Sequence, residues 1–78
     1  MKIILVLPKG GTKTLDIEAN DTISKLKSEI KSKFSVDLNE NNVVYDQIPL
    51  EEKDNERKIS DIGIENDGMI HILSKSMI

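Results

Sequence analysis

The apolar residues of this chain change period once and then change back. Over residues 12–18, TKTLDIE, they alternate: Leu15 and Ile17 fall on one side of an extended backbone, Thr14, Asp16 and Glu18 on the other. From Ile23 they recur at spacings of three and four, through Leu26, Ile30 and Phe34. That is the stripe of one amphipathic helix of about three turns. Alternation returns at residues 69–74, MIHILS. A chain with several strands and one substantial helix can cover only one face of its sheet with helix. The expected architecture is therefore α+β, a mixed sheet of four to five strands with the helix packed across one face.

The connecting segments fit this order. Residues 1–7, MKIILVL, read as a strand that stops at Pro8. Pro8-Lys9-Gly10-Gly11 is a turn signal, so the first two strands form an antiparallel hairpin. Asp21 or Thr22 can cap the helix, and Lys25 and Glu29, four apart, can pair on its outer side. Residues 35–42, SVDLNENN, are a polar loop with apolar anchors at Val36 and Leu38. Val43-Val44-Tyr45 is a short strand, followed by Asp46-Gln47 and Ile48-Pro49-Leu50. Residues 51–58, EEKDNERK, form a charged loop in which no regular element is forced. Ile59 to Ile64 is a short helical turn closed by Gly63, and Asn66-Asp67-Gly68 is another turn. The first strand pairs with the second and also with the last, which then lies inside the sheet. Residues 1–74 are expected to form the domain, and 75–78 a short, loosely held tail.

Composition narrows the function classes. With 78 residues, a single small domain is expected, and 37% hydrophobic residues suffice for one core. There are no cysteines, which excludes disulfides, thiolate metal sites and a cysteine nucleophile. One histidine, His71, cannot build a multi-histidine metal site. The net charge of −3 supplies no basic field for nucleic acid. The longest apolar run, Ile3 to Leu7, is far short of the ~20 residues of a membrane span. It also lacks a signal-peptide cleavage site. The expectation is a monomer in the cytoplasm and/or nucleus, with no nucleic acid, membrane, metal or cofactor as partner.

The residues give little support to catalysis. Glu51, Glu52, Asp54 and Glu56 sit in a charged loop, where nothing suggests the distinct environments that an acid–base pair needs. Asp16, Glu18 and Asp21 do not fit the spacing of a calcium loop. Gly10-Gly11 lies between two strands and opens no helix, so it is a turn rather than a phosphate cradle. His71 has no nucleophile and acid arranged around it. The chain is expected not to be an enzyme.

Three ordered segments resemble the ubiquitin-like domains of the ubiquitin superfamily. They are TLDIEANDTISKLKSEI at 14–30, Leu50-Glu51 with Ile59-Ser60-Asp61 and Ile64, and Ile70-His71-Ile72-Leu73. The likeness covers essentially the whole chain, from Met1 to about Ser74, and implies the β-grasp fold. It also implies that Lys27 is largely buried against an acid, for which Glu51 or Glu52 could serve; the other reading is a surface lysine snorkelling along the helix edge. The chain departs from the family pattern in three places. It ends LSKSMI, without the Gly-Gly that ubiquitin joins to target lysines, so it is expected not to be conjugated. Ile48 stands where ubiquitin has a chain-linking lysine, and the loop 51–58 is longer than its family counterpart.

Alternation sorts the strands into two faces. Met1, Ile3, Leu5, Leu15, Ile17, Val43, Ile70 and Ile72 should face the helix. Ile4, Val6, Val44, His71 and Leu73 should face outward, an apolar set for a half-solvated sheet and hence a candidate partner surface. The resemblance implies the same. Val44, His71 and Leu73 match ubiquitin's main hydrophobic recognition patch, with Pro8 in the place of its loop leucine. Ile4 with Thr12 and Thr14 resembles the smaller second patch. The implied function is a non-catalytic interaction module that binds helical elements of ubiquitin receptors or proteasome-associated proteins. Two alternatives stand beside it. One is a non-conjugated regulator of a ribonucleoprotein such as the spliceosome, which Asp67-Gly68-Met69 resembles. The other is a modifier whose processed tail is missing.

Overall fold

The N-terminal hairpin consists of β1 (Lys2–Val6) and β2 (Thr12–Asp16), paired antiparallel from Lys2–Asp16 to Val6–Thr12. The computed structural model describes residues 1–8 and 10–75. At the turn, the Leu7 N–H donates to the Gly11 carbonyl at 3.1 Å and the Gly10 N–H to the Leu7 carbonyl at 3.0 Å. Gly10 and Gly11 hold φ of 93° and 82°, a backbone that a side chain would strain.

Helix α1 (Ile23–Phe34) starts and ends where its sequence changes character. Thr22 is the cap: its hydroxyl accepts the Lys25 N–H at 3.2 Å. Asp21 instead accepts the Glu18 N–H at 3.0 Å. Ser35 closes the helix in the left-handed conformation. The expected Lys25–Glu29 pair does not form. Lys25 reaches back one turn to Asp21 at 3.7 Å, and Glu29 takes Lys33 at 3.4 Å. Asp21 lies at the positive end of the helix, where a carboxylate is favoured. Ile23, Leu26 and Ile30 are fully buried, while Phe34 lies at the edge of the core.

Strands β3 (Asn41–Tyr45) and β4 (Ile48–Pro49) form a second hairpin, joined by Asp46 and Gln47. A 3₁₀ turn (Glu52–Asp54), α2 (Ile59–Ile62) and β5 (Gly68–Ser74) complete the chain. The five-stranded sheet has the order β2-β1-β5-β3-β4, with β5 parallel to β1 and antiparallel to β3. This is the α+β, β-grasp arrangement. β5 occupies the centre, so Ile70 and Ile72 face the helix at the middle of the core, together with Ile3, Leu5 and Val43.

The loop 51–58 is more ordered than its composition implies. Within its 3₁₀ turn, Asp54 is buried, accepts the Glu51 N–H at 3.1 Å and pairs with Arg57 at 3.3 Å. The Arg57 and Asn55 carbonyls accept the Ile23 and Ser24 N–H groups, each at 2.9 Å. Two donors at the start of α1, with no partner inside the helix, are satisfied by this loop. The tail expected at 75–78 lies outside the described residues except for Lys75, whose N–H donates to the Glu40 carbonyl at 2.9 Å.

Candidate protein-docking face

Pairing of β3 with β5 assembles the site. In register, Val44 stands opposite His71 and Asn42 opposite Leu73. On the far side of β3, Val44 stands opposite Pro49. On the far side of β5, Val6 stands opposite His71 and Ile4 opposite Met69. All these side chains alternate with core residues and so share the face turned away from α1. On this face lies an open groove of about 1000 Å³. Its apolar lining is Val44, Tyr45, Pro49, Met69 and Leu73, and its polar lining is Asn42, Asp46, Gln47 and His71. Leu73 and Met69 are each 48% exposed, so the lining is solvated. The Tyr45 hydroxyl donates to the Gly63 carbonyl at 3.3 Å, which ties the ring back toward α2.

Of the residues singled out from the sequence, Val44, His71 and Leu73 lie together in this groove. Ile4 and Val6 share its face and adjoin it across the β1–β5 pairing, but they are half-buried and do not line it. In register, Ile4 stands between Thr14 and Met69, and Val6 between Thr12 and His71. Pro8 sits half-buried in the first turn, outside the groove. Thr12 and Thr14 are exposed on β2, opposite Val6 and Ile4.

Sequence reasoning missed Tyr45, Pro49 and Met69. Met69 carried a usable signal, since it precedes His71 by two residues and alternation places both on one face. Tyr45 and Pro49 carried none, because both border the groove only once β4 folds back on β3. Ile48 is 61% exposed, but it pairs opposite Tyr45 on the edge strand and does not line the groove.

The charged loop carries a different chemistry. The Lys27 ammonium donates to the Asn55 side-chain oxygen at 2.8 Å and pairs with neither Glu51 nor Glu52, contrary to the expectation. Those two side chains are exposed, whereas Asn55 is drawn toward the helix by its own backbone bond to Ser24. Burial pushes the Lys27 pKa below the ordinary lysine value, against the opposing attraction of Asp54, Glu52 and Glu51. Asp54, the one buried carboxylate among the described residues, is held by Arg57 and the Glu51 backbone. Its role is to shape the loop. Among the described residues, no group of three or more His, Asp and Glu side chains is gathered to hold a metal ion.

The groove is thus an apolar strip on a sheet whose other face packs against a helix. A family model described as the ubiquitin family matches residues 3–76.

Proposed function

Because the chain belongs to the ubiquitin family, we propose that it is a non-catalytic interaction module that docks helical elements of ubiquitin receptors or proteasome-associated proteins. The observation that carries this reading is the solvated apolar strip of Val44, Met69 and Leu73 on the helix-free face. Contiguous exposed apolar surface on a small domain marks a partner site. The backbone of β3 is already paired on both sides, by β5 and by β4. A partner therefore cannot add a strand at the centre of the groove and must bring side chains, which a helix does with one apolar stripe. The strip is smaller than the ~800 Å² per partner of a standard interface, so modest affinity is expected.

The test is an NMR titration of the labelled chain with helical ubiquitin-binding peptides. Shifts clustered on Val44, Met69, His71 and Leu73 are expected. Val44→Ala or Leu73→Ala should weaken binding by ~1–2 kcal/mol, the size of a hot-spot contact, with little loss of fold stability. Shifts confined to α1 or the 51–58 loop, with the groove silent, would sink this reading and favour a scaffold role in a ribonucleoprotein.

A further inference from the structure

We infer that the groove selects amphipathic helices that carry a lysine or arginine at the end seated over Asp46. This rests on the docking-face reading and adds to it the chemistry of the partner.

Length supports it first. Asn42 and Leu73 mark one end of the groove, Val44 and His71 its middle, and Asp46 with Met69 the other end. From Leu73 to Met69 along β5 is about 13 Å at the rise of a strand. A helix covers that length in roughly nine residues, so side chains at i, i+4 and i+7 fall along the strip.

Charge supports it next. Asp46 is exposed, and no lysine or arginine lines the groove with it. It has no ion pair among the described residues, and it is the one carboxylate in the groove lining. The remaining polar lining, Asn42 and Gln47, carries no charge, and His71 sits at the middle rather than beside the turn. The chain as a whole is acidic, with a net charge of −3. A basic residue one turn beyond the apolar stripe would meet Asp46 unopposed. An acidic residue there would meet a like charge and gain nothing in exchange.

The experiment uses three synthetic helical peptides with one shared apolar stripe and Lys, Gln or Glu at the position one turn beyond it. Binding is read by fluorescence anisotropy at low and high salt, and the site by NMR shifts. The order Lys over Gln over Glu is expected. About threefold or more should separate Lys from Glu at low salt, as for an exposed ion pair, and the gap should close in high salt. Asp46→Asn should erase the preference, and Asp46→Lys should reverse it. Asparagine accepts the left-handed backbone of this position, so the Asn variant keeps the test valid if the Lys variant fails to fold. Equal binding of all three peptides, with Val44, Met69 and Leu73 still shifting, would overturn the charge selection and leave the docking face standing. A groove silent to all three would overturn both.

Discussion

At the scale of single residues, the turn between β3 and β4 is the least comfortable point in the backbone. Asp46 and Gln47 hold φ of 50° and 67° in succession. A two-residue hairpin loop with both residues left-handed matches the twist of its strands, and Asn-Gly or Asp-Gly usually supplies it. Here the second position is glutamine, whose Cβ makes that conformation cost ~1–2 kcal/mol. Glycine would remove that cost and give back ~0.5–1 kcal/mol through its freer unfolded chain. Gln47→Gly should therefore stabilise the domain by about 0.5–1 kcal/mol, measured as a higher urea midpoint with unchanged slope. A loss of stability would show that the glutamine side chain makes a compensating contact. This turn was hard to foresee, because Asp-Gln is a weak turn signal and only the β3–β4 register fixes its conformation.

At the scale of elements, the decisive join is between α1 and the loop that follows β4. Ile23 and Ser24 donate backbone bonds to Arg57 and Asn55, and Lys27 donates a third bond from one turn along the helix to Asn55. Lys27 lies where burial disfavours its charge, so its pKa is lowered in the folded chain. The unfolded lysine keeps its ordinary value and binds its proton more tightly. The penalty is full at neutral pH and fades as pH climbs through the folded pKa toward the ordinary lysine value. The stability of the parent chain relative to Lys27→Met should accordingly rise between pH 7 and about pH 10.5. Paired urea titrations at the two pH values check this, since the other titrating groups cancel in the difference. A difference that stays flat or falls with pH would contradict the burial of the ammonium. The amphipathic stripe announced α1 plainly. The 3₁₀ turn and buried Asp54 did not show in the sequence, because a run of charged residues reads as a solvated loop until its path against the helix is known.

For the whole molecule, the Cα radius of gyration is 11.3 Å, against ~11.5 Å for a compact domain of this length. Ile30 is fully buried beneath the central strands. Ile30→Ala should cost ~2–5 kcal/mol in chemical denaturation, from the lost methyl groups and the cavity they leave. A domain of this size has only ~4–12 kcal/mol of stability in all, so the variant should be visibly marginal. A loss under about half a kcal/mol would place Ile30 on the surface instead.

The sequence by itself determined the order of β1, β2, α1, β3, α2 and β5, the helix and its buried stripe, and the inward face of those strands, but neither β4 nor the 3₁₀ turn. Those are set by local period, which needs only neighbours along the chain. Val44, His71 and Leu73 were legible as outward residues for the same reason, and the resemblance tied them to one patch. What only the tertiary structure decided is which residues close the groove. Tyr45, Asp46 and Pro49 border it because β4 folds back on β3. Met69 joins them because β5 enters the centre of the sheet between β1 and β3. Residues 42–45 and 70–73 are at least 25 positions apart, and strand pairing between them is a long-range choice that no local pattern encodes. Lys27 took Asn55 as its partner for the same reason. The loop's backbone bonds to α1 placed that side chain within reach and left Glu51 and Glu52 in water.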